Sequence, residues 1–279
     1  MGVMKNENKV QADLTGFYAK WSSKSADAID FDIRSAERKA LAIVQQLPPA
    51  VLDSLHRLLD FGCGYGAVLL GLMRLRAAHI ESALGVDYSD AAIDVARRRN
   101  NCAEIRYEKL PALDIQDNRS FIRTQLAENV DAILLIDLLE HVPDCRTLIA
   151  ELAPYTRWFL IKLPVESSLM DNYLLPKEYP SSTHSNGHLR EFDANSVYYF
   201  IRSLGLTPIF ETLYRYESED SFPPFPAGTS WKGRMARSAI KFVKTLLSWI
   251  LPTKLFLRIV GGGGYICVAS YNAENLLDP

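Results

Sequence analysis

Cysteine is scarce in this chain, and what there is does not pair. Cys63, Cys102, Cys145 and Cys267 are scattered, with no Cys-x-x-Cys unit and no zinc-type spacing. Neither a structural zinc site nor a disulfide framework is expected. Reduced thiols fit a cytoplasmic protein. An excess of one charge is also lacking: 31 Lys and Arg stand against 33 Asp and Glu, a net charge of -2. No global basic field recruits nucleic acid, so no nucleic-acid partner is expected. No uncharged apolar run reaches the length that spans a bilayer. Met1 to Val10 is polar and has no apolar signal core, so secretion is not indicated. There is no internal repeat. What remains is a chain of 279 residues, 48% hydrophobic, enough for one large domain or one domain with additions.

The most informative stretch is Arg57-Leu-Leu-Asp-Phe-Gly-Cys-Gly-Tyr-Gly66. The apolar run Leu58, Leu59, Phe61 reads as a short buried strand. Gly62, Gly64 and Gly66 then make a tight turn, and a helical pattern starts near Ala67. Strand, glycine turn and helix N-terminus together present backbone N–H groups at a sheet edge. Asp60 adds a fixed carboxylate, which suits a cationic group better than a phosphate. The following strand, Ala83-Leu-Gly-Val-Asp87, ends in an acid at the spacing that reaches ribose hydroxyls. A dinucleotide and S-adenosylmethionine both carry such a ribose. Gly62-x-Gly64-x-x-Ala67 also fits the dinucleotide fingerprint, a weak signal alone. A purely structural glycine turn is the third reading.

Asp-Phe-Gly-Cys-Gly-Tyr-Gly followed by Gly-Val-Asp-Tyr-Ser resembles the first two motifs of class I S-adenosylmethionine-dependent methyltransferases. Ile136-Asp-Leu-Leu-Glu-His-Val-Pro-Asp144 resembles the fourth motif of the small-molecule members. This wording separates a methyltransferase from a nicotinamide enzyme. The resemblance implies S-adenosylmethionine as cofactor, held by Asp60, Gly62, Cys63, Gly64, Tyr65, Gly66, Asp87, Tyr88 and Ser89. It also implies that Asp137 and Leu138 line the methionine end. An acid after the third strand should meet the adenine amino group; Asp114 is the candidate, with Glu108 and Asp117 as alternatives.

His141 and His188 are the candidate catalytic residues. His141 can cap the turn, act as a base near neutral pH, or bind metal. His188 is the preferred base if no metal is present. Asp137, Glu140, His141 and His188 resemble the divalent-metal set of small-RNA 3′-end methyltransferases. Related Glu-x-x-Glu-His wording occurs in ubiquinone-pathway O-methyltransferases. This chain has Asp137 where those have the first Glu. Such an oxygen-rich set would favour Mg²⁺ or Mn²⁺. His184 and His188 flank Ser185-Asn186-Gly187, a glycine turn leading to Asp193 as a helix N-cap.

Strands are expected at 57–61, 82–87, 104–108, 131–136, 157–163, 207–213 and 265–271. Helices are expected at 33–47, 67–77, 89–99, 119–128, 144–153, 193–204 and 233–251. This alternation predicts a Rossmann-like α/β fold, doubly wound, with a mostly parallel sheet covered on both faces. The resemblance implies seven strands with an antiparallel last strand. The expected division is a helical cap over the active site (1–50), a methyltransferase domain (51–216 and 261–279), and an insertion (217–260). Residues 164–192 form an earlier insertion assigned to the acceptor pocket.

Residues 231–258 carry Arg234, Arg237, Lys241 and Lys244 at helical spacing beside a broad apolar face with Trp249. Such a stretch can lie in a membrane interface. It can equally pack on the sheet or on a second subunit, as a homodimer contact. The sequence therefore predicts methyl transfer to a small-molecule, sugar or lipid-linked acceptor, at oxygen by first choice and nitrogen otherwise. The rivals are a nicotinamide-dependent oxidoreductase and a non-catalytic cofactor-binding module.

Overall fold

The computed structural model describes residues 24–75, 80–126, 129–174, 187–216 and 231–272; within 170–174 and 231–241 the side chains of several residues are not described. His184, and the sequence-adjacent aromatics Phe17, Tyr18 and Trp21 that precede the first helix, lie outside that set.

The chain opens with a long helix, α1 (Ala26–Gln46), and a single turn, α2 (Pro49–Leu52). Strands and helices then alternate: β1 (Arg57–Phe61), α3 (Ala67–Leu75), β2 (Ser82–Asp87), α4 (Asp90–Arg99), β3 (Ile105–Lys109), α5 (Arg119–Gln125) and β4 (Val130–Ile136). There follow α6 (Cys145–Leu152), β5 (Thr156–Val165), α7 (Ser196–Ser203), β6 (Leu206–Arg215), α8 (Trp231–Ile250), α9 (Thr253–Ile259) and β7 (Gly263–Tyr271). The sheet has seven strands in the order β3-β2-β1-β4-β5-β7-β6. Strands β1 to β5 pair in parallel, while β7 runs antiparallel to both β5 and β6. This is the Rossmann-like doubly wound fold that the alternation predicts.

Hydrophobic patterning explains the layering. Ile133 and Leu135 of β4 face one core with Ile149 and Val197, while Ala132 and Leu134 face the other with Ile43 and Leu69. Strand β4 is therefore buried on both faces, as its unbroken apolar run requires. Strand order reverses between β1 and β4, so the carboxyl ends of these two strands open onto one crevice.

Element ends differ from expectation in explicable ways. Helix α1 starts earlier than residue 33, because Ser25 caps it by accepting from the Ala28 N–H. Helix α7 starts at Ser196, not at 193. Asp193 does not sit at the cap; its Oδ1 accepts from the N–H groups of Asn195 and Ser196 and turns the chain into the helix. The loop after β1 keeps Gly62, Gly64 and Gly66 at φ of 80°, 53° and 71°, where a side chain would be strained.

Gly85 is demanded by space and not by conformation. A Cβ there would lie 2.6 Å from the Tyr107 ring and 3.0 Å from Cys63 Sγ. Tyr107 is buried and donates its hydroxyl proton to the Gly66 carbonyl at 2.9 Å, so it braces the glycine turn. Gly85→Ala should displace that ring and cost about 1–3 kcal/mol, as overpacking does. Urea denaturation should show a lower midpoint with an unchanged slope.

Candidate active site

The turn after β1 is tied to β2 by its own amides. Gly62 and Cys63 N–H both donate to the Val86 carbonyl, at 2.8 and 2.9 Å. Asp87 completes the tie: its Oδ2 accepts from Gly64 N–H and its Oδ1 from Ser89 N–H, each at 2.8 Å. Burial raises the pKa of Asp87, and these backbone donors oppose the shift.

A cavity of about 750 Å³ opens beside this turn. Asp60, Gly62, Cys63, Gly64 and Tyr65 line one side, Asp137, Glu140 and His141 another, and α1 contributes Arg38 and Lys39. Glu166 and His188 close the far end. The structure thus brings together most of the residues the sequence singles out. Gly66, Asp87, Tyr88, Ser89 and Leu138 lie next to the turn but not on the wall of this cavity. Gly66 is covered by Tyr107, and Leu138 packs on the main core. Asp114 is exposed and its Oδ1 accepts from Gln116 N–H, which makes it a local turn brace.

Two carboxylates on the wall are exceptional. Asp60 is 1% exposed and its Oδ2 has no hydrogen-bond partner. Burial, and then the charge of Asp87, push its pKa to about 7, while Lys39 pulls the other way. Glu140 is fully buried with both oxygens unpartnered. Burial and the nearby Asp137 charge push its pKa well up. Orphaned buried acceptors are costly, and each calls for a proton or a cationic ligand.

Asp137 is placed differently from Glu140. It follows β4 in the left-handed region, at φ 50°. Lys162 of β5 donates to both of its oxygens, at 2.6 and 2.8 Å, and Lys39 of α1 pairs with it at 2.8 Å. Lys162 is 2% exposed and also donates to the Tyr216 hydroxyl at 2.9 Å. The two ammonium groups hold the Asp137 carboxyl far below the usual carboxylate range against a large burial effect. With its oxygens so engaged, Asp137 leaves the expected metal set, and the compact group is Glu140, His141 and His188, whose ligand atoms lie within 4.8 Å of one another.

Both imidazoles are oriented by acceptors. His141 Nδ1 stands 3.1 Å from the Gly187 carbonyl, so that nitrogen carries the proton. His188 Nδ1 stands 2.9 Å from Glu166 Oε2. In a neutral ring with Nδ1 so engaged, Nε2 is the nitrogen without a proton. Burial and the neighbouring His188 lower the His141 pKa to about 4, so it is neutral at pH 7. The two rings meet edge to face, 4.8 Å between centroids. Arg190 builds this junction by donating to the carbonyls of Leu139, Val142 and Pro143, and Leu189 N–H donates to Glu140 O.

Lys39, Lys162, Glu166, Arg190 and Tyr216 are the contributors that motif reading misses. Lys162 had a visible signal: a lone cation inside the apolar strand Phe159-Leu-Ile-Lys-Leu163. Such a residue is buried only with a partner.

Comparison with known proteins agrees with this geometry. The methyltransferase domain family model matches residues 33–209, more than half of the chain. Ubiquinone biosynthesis O-methyltransferase of Acinetobacter baylyi is 30% identical over 103 residues, covering 33% of this chain and 39% of that protein. The Hahella chejuensis protein of the same name is 31% identical over 99 residues, covering 35% and 37%. The chain spans under two fifths of the length of these curated relatives. Among solved structures, a chain of the complex between the Haloferax volcanii Trm112 methyltransferase activator and a methyltransferase aligns with TM-score 0.57 at 15% identity, covering 91% of this chain and 97% of that one. Magnesium protoporphyrin IX methyltransferase from Synechocystis PCC 6803, with bound SAH, aligns with TM-score 0.51 at 14% identity, covering 95% and 100%. At such identity these structures speak to the fold alone.

The chain belongs to the methyltransferase domain family. Its seven-stranded sheet has the class I methyltransferase architecture, and S-adenosylmethionine is the cofactor of that class.

The ion cluster at Asp137 makes a stability prediction. Lys162→Met keeps volume and apolarity but leaves a buried carboxylate with Lys39 alone. Breaking a buried pair from one side costs about 3–5 kcal/mol, and the remaining lysine should hold the loss near about 3 kcal/mol. Equilibrium urea unfolding reads this directly, and Asp137→Asn in the same background should recover part of it.

Proposed function

We propose that the protein transfers a methyl group from S-adenosylmethionine to a hydroxyl of a small-molecule, sugar or lipid-linked acceptor bound in the cavity under α1. The observation that carries the reading is the pair of orphaned buried carboxylates, Asp60 and Glu140, on the wall that also holds the glycine turn. Asp60 fits the cofactor's ammonium group: its Oδ2 is buried, unpartnered and beside the Gly62–Gly64 backbone. Asp87 fits the ribose hydroxyls, since each carboxylate oxygen keeps a further lone pair. When bound, S-adenosylmethionine supplies an electrophilic methyl carbon. Residues 1–50 then act as a cap, residues 51–216 and 261–279 as the transferase body, and residues 217–260 as an insertion.

On the acceptor side the protein holds the hydroxyl in line and accepts its proton. His188 is the base in this reading. Glu166 fixes its tautomer from Nδ1 and stabilises the imidazolium that forms, with Nε2 taking the proton. His141 stays neutral and packs edge-on to His188. The curated relatives are named O-methyltransferases, which supports oxygen over nitrogen as the acceptor atom.

A second reading is favoured by Glu140. Its unpartnered carboxylate, with His141 and His188, fits a divalent cation such as Mg²⁺ or Mn²⁺. Those three residues would hold it, Glu166 would orient His188 from behind, and the cation would lower the pKa of the acceptor hydroxyl. Calorimetric titration with Mn²⁺ distinguishes the readings. Binding by the wild type that is lost in Glu140→Gln, together with activity removed by EDTA and restored by metal, selects the cation. Activity that survives EDTA selects the base.

Cofactor affinity should depend on pH through Asp60. Its pKa near 7 falls when an ammonium group binds, so binding releases a proton below pH 7. Affinity is then full above pH 7 and declines as pH falls through 7. Asp87 and Lys39 face the same carboxyl and are included in that value; Asp60→Asn should remove the dependence and weaken binding about 10- to 100-fold, the effect of losing a charged hydrogen bond. Calorimetry in buffers of different ionisation enthalpy counts the proton.

His188→Ala should lower kcat about 10²- to 10⁴-fold, with cofactor affinity nearly unchanged. Glu166→Gln should lower kcat less and shift the pH profile of kcat. A collapse of cofactor affinity at normal kcat would place His188 on the cofactor side.

A further inference from the structure

Among the described residues, helix α8 carries a run of exposed large apolar side chains. Phe242 is 70% exposed and Trp249 85%, and Trp231, Met235, Leu246 and Ile250 are exposed as well. Trp231, Met235, Phe242, Leu246 and Trp249 fall within an arc of about 60° on a helix turning 100° per residue. The opposite side is already used: Leu247 and Leu251 pack on the main core, and α9 buries Phe256 and Leu257 there. The exposed stripe is therefore not needed to close the fold, and contiguous apolar surface of this kind marks a contact. Of the readings open for residues 231–258, packing on the protein's own core accounts for Leu247 and Leu251. Side chains of Arg234, Arg237 and Lys241 lie outside the described set.

Charge identifies the occupant. Residues 231–259 hold seven of the chain's 31 Lys and Arg and none of its 33 Asp and Glu. Lys254 and Arg258 are exposed beyond the end of α8. A second copy of this face would bring a second set of like charges against the first. An anionic lipid surface complements it, and interfacial depth suits Trp and Phe. No described helix is long and apolar enough to cross a membrane, so α8 lies along the surface.

We propose that α8 and α9 dock the protein on an anionic lipid bilayer, with Trp231, Met235, Phe242, Leu246 and Trp249 entering the interface and the basic residues on the head groups. The docking face is tied to the cavity. Arg215 lines the cavity and donates to the Ser248 and Leu251 carbonyls at the C-terminal end of α8, with its guanidinium 4.8 Å over the Phe256 ring. An acceptor held in the bilayer would meet the enzyme near that end. This goes beyond the methyl-transfer reading and does not rest on it.

The test is flotation of the full chain with vesicles of equal parts phosphatidylcholine and phosphatidylglycerol, and with phosphatidylcholine alone. Binding is expected on the anionic vesicles at low salt, and release at high salt. The double variant Phe242→Ser/Trp249→Ser should lower vesicle affinity at least tenfold, an order-of-magnitude estimate for keeping two aromatics out of the interface. Both side chains are exposed, so its melting temperature should be unchanged. Lys244→Glu/Lys254→Glu should lower affinity by roughly fivefold or more per site. Absence of flotation at low salt overturns the proposal. So does a dimer in light scattering that the double aromatic variant dissociates, since a second copy would then cover the face. Calorimetry with S-adenosylmethionine on the same preparations should give equal affinity in wild type and variants, which separates loss of docking from loss of the cofactor site.

Discussion

A buried ammonium organises this site. Lys162 sits in the middle of the sheet, where an unpaired cation would be untenable. It is satisfied by Asp137 at the end of the neighbouring strand and by Tyr216 beyond β6. Lys39 from α1 joins the same carboxylate. One cluster thus pins together β4, β5, the segment after β6 and the long first helix. Asp137 pays a backbone cost at φ 50°, and the two lysines make that conformation worth holding. The chain then turns directly into Glu140 and His141.

The cluster also divides the carboxylates of the cavity into two kinds. Asp137 is ionised and already paired with Lys162 and Lys39, so a ligand cation there would compete with two ammonium groups. Asp60 and Glu140 are buried without partners, and their environments resist ionisation. Asp60 stands beside the glycine turn, and Glu140 beside the imidazoles. A cation near either one relieves a penalty already present in the fold. Cationic ligands are thereby favoured at the two ends of one cavity, while in the middle two ammonium groups, Lys39 and Lys162, share the single Asp137 carboxylate.

Much of the fold is legible in the sequence. The unbroken apolar run of β4, the alternation of periods and the triple-glycine turn place every strand to within two residues. Asp60, Asp87 and the Asp137–His141 segment also stand out, because strand ends followed by acids have few structural explanations. What is not legible depends on tertiary pairing. Asp137 reads as a metal ligand until Lys162 and Lys39 are seen on it. Glu166 and Arg190 carry no motif, yet they orient His188 and staple its loop to the turn after β4. Asp114 is an adenine contact only as the resemblance implies it, and it lies exposed where the chain after β3 folds on its own Asn118 and Gln116 amides.

Helix α8 shows the same division between local and tertiary information. Its composition announces an amphipathic basic helix, but composition cannot say which side is covered. Packing decides it: Leu247 and Leu251 turn inward, Phe242 and Trp249 outward. Arg215 then satisfies the C-terminal carbonyls of the helix with a side chain that also walls the cavity. Those carbonyls would otherwise lack partners and carry the negative end of the helix dipole. The cation that caps the helix is therefore a physical link between the helix bearing the exposed apolar face and the cavity. Through Arg215 and the adjacent Tyr216, the end of α8 is joined to the Lys162 cluster on which the site is built.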